Sequence, residues 1–193
     1  GLNRVTAGYL AGTYYPPALY ITCAQSDGSR TTDVVAYQAG EHEGKMRLEE
    51  NLWQISQVIS WFRSRGKAVI FNAHNYFDAL SSSSAYTREV IKTASSAGAD
   101  RIVLCDSSGY ALFHDIVAGI DVARMHHTRR IGIQCADSSG CANSNAVVAV
   151  KSGVMHIQGS FLGTGPNGNI SLAVSIANLQ INMGYSCIPY MKL

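Results

Sequence analysis

The chain has 193 residues, 47% of them hydrophobic and 15% charged, with a formal net charge of +2. That is enough apolar material for one substantial core, and too little charge asymmetry for nucleic acid or an anionic membrane surface as the main partner. The longest apolar runs, such as Ala68 to Phe71 and Val147 to Val150, fall far short of the roughly 20 residues that cross a bilayer, so no membrane span is expected.

The first 17 residues form a Tyr/Pro-rich arm, G-Y-L-A-G-T-Y-Y-P-P at Gly8 to Pro17, ahead of a domain expected over residues 18–193. Two strands are predicted at Ala18 to Cys23 and Asp33 to Tyr37, separated by the turn Ser26 to Ser29. Leu48, Leu52, Ile55, Ile59 and Phe62 recur at steps of three and four, which predicts an amphipathic helix stopping near Gly66. The cycle then repeats: strand at Lys67 to Phe71, helix at Ala85 to Ala97, strand at Arg101 to Cys105, helix at Ala111 to Ala123. A strand at Ile131 to Cys135, a helix at Asn143 to Ser152, a strand at Met155 to Phe161 and a helix at Ser171 to Met183 complete it. Ser81 to Ser84 reads as a flexible joint and His126-His127 as a solvated connection.

Alternating strands and helices predict an α/β fold with a mainly parallel sheet. A closed (β/α)8 barrel takes about 250 residues, roughly 31 per unit, so about six units account for this length. The expectation is an incomplete TIM-type (β/α) barrel of about six parallel strands with flanking helices.

In such folds functional side chains follow the carboxyl ends of the strands. Those positions here are Asn72, His74, Asn75 and Asp78, then Asp106 to Gly109, then Gln134, Ala136, Asp137 and Ser138, then Gly163 to Asn169. They are polar but poor in catalysts. His74, Asp78, Asp106 and Asp137 can ligate a metal or move protons, yet none lies in an H-x-H or H-E-x-x-H spacing. Asp106 reads first as a loop or helix cap, Asn169 as a turn residue, and His74 with Asp78 or Asp137 as a weaker acid/base or metal pair. The composition of the Gly163 to Asn169 loop suggests a phosphate cradle, but its spacing does not fit one. The five cysteines, Cys23, Cys105, Cys135, Cys141 and Cys187, show no C-x-x-C spacing and are expected to be reduced, in a reducing intracellular compartment. Neither a secretory leader nor an initiator Met opens the chain, so Gly1 is expected to be a processed end or an artificial boundary, and a processed end makes an organelle such as the mitochondrion the expectation.

Several ordered runs carry a resemblance. F-N-A-H-N-Y-F-D-A at Phe71 to Ala79, A-G-A-D-R-I-V-L-C-D-S-S-G-Y-A at Ala97 to Ala111, D-S-S-G-C-A-N-S-N-A at Asp137 to Ala146 and Q-G-S-F-L-G-T-G-P-N-G-N at Gln158 to Asn169 resemble the DRE-TIM metallolyase barrel. The citramalate and isopropylmalate synthase branch is the nearest in flavour. L-E-E-N-L at Leu48 to Leu52 and N-L-Q-I-N-M-G-Y at Asn178 to Tyr185 extend the similarity over about residues 33–193.

The resemblance implies condensation of an acyl-CoA with a 2-oxo acid around one divalent cation acting as a Lewis acid. It implies as ligands an Asp from R-D-G on the first strand, both His of an H-x-H on the seventh and an Asn after the eighth. Here Gln134 and Ala136 stand at the H-x-H positions, Asn169 is kept, and G-E-R-x-G-N has become G-P-N-G-N. Asn72 to Asn75 replaces D-A-E-H, while Asp106 and Gly109 match D-T-x-G. Leu19 to Gly28 echoes the family's first strand without its Arg, which makes Asp27 a relic of the metal-binding Asp; alternatively, residues 18–37 are the third and fourth strands. A methyl cannot bind a cation and a carboxamide replaces imidazole poorly, so no metal and no cofactor is expected.

The expected function is therefore a catalytically inactive relative of acyl-CoA-condensing synthases, serving as a structural or accessory subunit, with Asp27, Asn72, His74, Asp106, Gln134, Ala136, Asp137 and Asn169 as relic positions. Protein partners, self-association or the Tyr-rich arm would cover the open sheet edges. Two alternatives stand beside it: a divalent-metal-dependent synthase or lyase with a rearranged site, and a non-catalytic small-molecule sensor. A metal-free aldolase would need a Schiff-base Lys at a strand end, but Lys67 begins its strand and Lys151 ends a helix.

Overall fold

The computed structural model describes residues 48–127 and 130–187 in full, and the backbone of five short strands between residues 5 and 36. These are β1 (Val5–Thr6), β2 (Tyr9–Leu10), β3 (Gly12–Tyr14), β4 (Tyr20–Cys23) and β5 (Thr31–Ala36). The remainder runs α1 (Leu48–Ser64), β6 (Ala68–Ala73), α2 (Tyr76–Ser82), α3 (Ser84–Ser96), β7 (Arg101–Asp106), α4 (Phe113–Arg124), β8 (Arg130–Cys135), α5 (Ala142–Lys151), β9 (His156–Gly159) and α6 (Leu172–Ile176). A π-helical stretch, Ala177–Asn182, continues α6.

One sheet takes the order β3-β4-β9-β8-β7-β6-β5. Every pairing from β4 to β5 is parallel, so six parallel strands are present, and only β3 runs antiparallel, along β4. β4 pairs with the last strand, β9, and β5 with β6. In a closed eight-stranded ring the eighth strand neighbours the first, so β4 occupies a first-strand position and β5 a fourth-strand position. Residues 18–37 are thus neither one first strand alone nor the third and fourth together. Only residues 24–30 join β4 to β5, too few for a helical crossover, which takes a dozen or more. β3, from the Tyr-rich arm, pairs with one edge of the parallel set.

The sheet has two unlike faces because side chains alternate along each strand. Val69, Phe71, Ile102, Leu104, Ile131, Ile133, Cys135 and Ile157 turn to the helices and join Ile55, Ile59, Val90, Ile91, Ile116 and Ile120 in the main core. The opposite face carries a small apolar cluster of Ile70, Val103 and Cys105. Asn72, Arg101, Gln134, His156 and Gln158, all buried, alternate onto that same face. Of the predicted site residues, Asn72 and Gln134 lie on this polar face, whereas Asp106 alternates with Ile102 and Leu104 toward the helices.

Three expectations are corrected. Ser81 to Ser84 is not a loose joint: Ser81 and Ser82 end α2 and Ser84 opens α3. α2 was legible only as loop, yet it forms because Tyr76, Phe77 and Ala79 are buried and Tyr76 Oη donates to Gly119 O at 2.9 Å. A Cβ at Gly119 would stand 2.6 Å from Phe77 Cε1, so the glycine is what lets α2 and α4 approach. His127 is not solvated; it is buried, with Nδ1 3.0 Å from Ser95 Oγ. The last helix is α-helical only through Ile176 before widening to the π stretch.

Candidate functional site

Three loops after β7, β8 and β9 are laced together at the carboxyl end of the sheet. Ser139 N and Ser139 Oγ both donate to Gly109 O, at 3.1 and 2.7 Å, and Asp137 N donates to Asn167 O at 2.8 Å. Asn145 Nδ2 donates to Ala111 O at 2.7 Å and Asn143 Nδ2 to Ser171 O at 2.9 Å. Gly109 has φ 74°, and a Cβ there would stand 2.7 Å from Ser138 N, so only glycine permits this closeness.

Asp106, at the end of β7, spends its carboxylate on its own loop. Oδ1 accepts from Gly109 N (2.9 Å) and Ser108 Oγ (3.2 Å), and Oδ2 from Ala111 N (3.2 Å). Burial raises its pKa above the usual carboxylate value; the three hydrogen bonds pull the other way, and Asp78 adds a smaller upward push. Asp137 Oδ1 accepts from Ala142 N at 2.9 Å and so caps the start of α5. Both acids therefore take the capping role.

His74 Nδ1 lies 3.3 Å from Ser107 Oγ, which also accepts from Asn75 N at 3.0 Å. Burial lowers the His74 pKa, while Asp78 stands exposed on α2. Ala136 is buried, and its N–H donates to Asp106 O at 2.8 Å. Burial pushes the thiols of Cys105 and Cys135 far up, helped by Asp106, so both are inert apolar side chains at neutral pH. Asp27 lies outside the described residues.

Gln134 and Asn169 form the centre of the arrangement. Gln134 Nε2 donates to Asn169 Oδ1 at 3.1 Å, and Ile170 N donates to the same oxygen at 2.9 Å. A backbone N–H can only donate, so the Asn169 atom is an oxygen, and the Gln134 atom facing it must be nitrogen. Gln134 Oε1 is thereby left buried without a hydrogen-bond partner, as is Asn72 Oδ1 on β6. Gln158 lies opposite Gln134 in the register and His156 one step below it. Neither stands directly after a strand end; the sequence signal for both is the period-two alternation that places them on the face of Gln134.

Among the described residues, the donors at the candidate cation position are the neutral carboxamides of Gln134 and Asn169, beside the methyl group of Ala136. They bring no negative charge to offset the cost of stripping its hydration, and Asn169 Oδ1 already accepts two hydrogen bonds. Among the described residues no three His, Cys, Asp or Glu side chains come together as a metal site. The described residues do not fit the cation.

The model of the HMGL-like family matches residues 28–189. The (R)-citramalate synthase of Streptomyces coelicolor is 33% identical over 147 residues, covering 76% of this chain and 28% of that protein. The (R)-citramalate synthase of Synechocystis is 35% identical over 156 residues, with the same coverage of 76% and 28%. The 2-isopropylmalate synthase of Sulfolobus acidocaldarius is 28% identical over 145 residues, covering 73% of this chain and 36% of that protein. The chain thus spans little more than a quarter of the length of the citramalate synthases it matches. The structure of the HMG-CoA lyase from Brucella melitensis superposes with a TM-score of 0.64 at 18% identity, covering 80% of this chain and 58% of that one, a likeness of fold. Motifs, parallel sheet and family match agree: this chain belongs to the HMGL-like family of DRE-TIM barrels, on its citramalate and isopropylmalate synthase side.

Proposed function

We propose that this chain is a non-catalytic member of its family, retaining the scaffold of an acyl-CoA/2-oxo acid condensing synthase and acting as a structural or accessory subunit. One observation carries the reading: the Gln134–Asn169 carboxamide pair, flanked by Ala136, stands where the resemblance places the cation's imidazole and amide ligands. Asn72, His74, Asp106 and Asp137 are then relic positions whose side chains have gone over to hydrogen-bonding and capping within the loops.

Without a Lewis acid, the carbonyl of a 2-oxo acid is not activated toward attack by a thioester carbanion. Among the described residues no lysine is placed to substitute: Lys67 precedes β6, Lys92 lies on α3 and Lys151 ends α5, all away from the carboxyl ends of the strands.

The test is metal analysis of the purified chain and calorimetric titration with manganese and zinc, together with an assay of thiol release from acetyl-CoA in the presence of pyruvate or 2-oxoisovalerate. The expected result is neither stoichiometric metal nor thiol release. A bound divalent ion with turnover would establish the rearranged synthase instead.

A second reading, a small-molecule sensor, is favoured by the two buried acceptors Asn72 Oδ1 and Gln134 Oε1, because an unmet buried carbonyl costs about 1–3 kcal/mol and a ligand with hydrogen-bond donors would meet it. A rise in melting temperature with a 2-hydroxy acid such as citramalate, whose hydroxyl can donate to these acceptors, without thiol release from acetyl-CoA, would select it.

A further inference from the structure

Both tryptophans of the chain, Trp53 and Trp61, stand on α1, and they are 62% and 50% exposed. The helix buries Asn51, Ile55 and Ile59. At roughly 100° of turn per residue, Trp53, Gln57 and Trp61 form one stripe on the side opposite. Tryptophan is unusual on a free surface and enriched at the centres of protein interfaces.

Charge on the helix is arranged about the same stripe. Glu49 and Glu50 occupy the first turn, and Arg63 and Arg65 lie at the other end. Counted from Gln57, Trp53 and Trp61 are four residues to either side, and Glu49 and Arg65 eight to either side. Arg63 is engaged by Asp100 at 2.8 Å, but Arg65 stays with the stripe: its guanidinium lies 3.7 Å from the Trp61 ring centroid and donates to Trp61 O at 3.1 Å. The sequence E-x3-W-x3-Q-x3-W-x3-R is therefore self-complementary under a two-fold rotation. Turned about Gln57, Trp53 meets the partner's Trp61 and Glu49 meets the partner's Arg65, at both ends at once.

We propose that the outward face of α1 is a self-association surface, on which a second copy of this chain packs its own α1 antiparallel about a two-fold axis at Gln57. The match of acidic start to basic end selects a second copy over an unrelated partner. Antiparallel pairing also sets the positive end of each helix dipole beside the negative end of the other, and a cation held at the ring face adds attraction once water is excluded.

Sedimentation equilibrium on the full chain tests this. The wild type should show a concentration-dependent dimer, and Trp61→Ala should raise its dissociation constant by about 30-fold. Glu49→Arg and Arg65→Glu should each weaken the dimer, because each sets like charges opposite one another at both ends. Mixed together, these two variants should recover association, since the mixed pair has opposite charges at both ends. All three positions are on the surface, and far-UV circular dichroism with melting curves confirms that the variants fold. A chain that stays monomeric, or a dimer indifferent to all three substitutions, overturns the proposal. A monomer with blue-shifted tryptophan emission also overturns it, and assigns the face to the chain's own N-terminal segment.

Discussion

Gln134 Nε2 and Asn169 Oδ1 are joined by a hydrogen bond of 3.1 Å that ties the middle of the sheet to the loop after its last parallel strand. Its direction follows from Ile170 N, which donates to the same oxygen. The energetics of the pair are open to a double-mutant cycle. Asn169→Ala strands the buried Gln134 Nε2 and should cost about 1–2 kcal/mol. Gln134→Met removes that donor together with an unmet carbonyl at similar volume and should cost well under 1 kcal/mol. The double variant should be less destabilised than the sum by about 1 kcal/mol, as read from urea unfolding. Additive costs would show that the bond contributes nothing.

Gly109 and Gly140 have nearly the same backbone, φ 74° and 73°, in very different surroundings. A Cβ at Gly140 meets nothing within 4 Å, whereas one at Gly109 would press on Ser138 N at 2.7 Å and on Ala136. Gly140→Ala should cost roughly 1 kcal/mol for the left-handed conformation alone. Gly109→Ala should cost about 2 kcal/mol more, because the loops after β7 and β8 must separate. Equal melting temperatures for the two variants would show that the loops yield freely.

His156 and His74 set the acid side of the stability profile. Burial, and for His156 the Arg101 charge as well, lowers both folded-state pKa values below the unfolded 6.5. Between the lowered pKa and 6.5 the unfolded chain binds more protons than the folded one, so stability increases with pH there and declines as pH falls below 6.5. Asp106, whose folded pKa is raised from 3.8, contributes the opposite slope: stability is lost as pH climbs from 3.8 through its folded value. Melting curves from about pH 5 to pH 8 should therefore show a loss on the acid side, reduced in His156→Gln. An unchanged acid slope in that variant would remove His156 as its cause.

Much of the fold could be read in advance from residue 48 onward, since apolar residues at steps of three and four alternate with short β-rich runs such as Ala68 to Phe71 and Ile131 to Cys135. α2 could not, because its stability rests on Tyr76 and Phe77 fitting against Gly119, 43 and 42 positions away. The burial of His127 likewise depends on Ser95, 32 positions earlier. Asp106, Gln134, Ala136 and Asn169 could be singled out from their places after strands. Which of them would meet could not, because the Gln134–Asn169 bond joins residues 35 apart through the pairing of β8 with β9.

The order of residues alone determined the βα rhythm, the family, and the carboxamide and methyl side chains of Gln134 and Ala136, because periodicity and side-chain chemistry are local properties. Only the tertiary structure decided that β4 takes a place beside β9, that Asp106 and Asp137 are used up in capping, and that Trp53 and Trp61 share one uncovered face. Those outcomes rest on strand register and on which surfaces remain after the core closes, and both are settled by contacts between residues far apart in the chain.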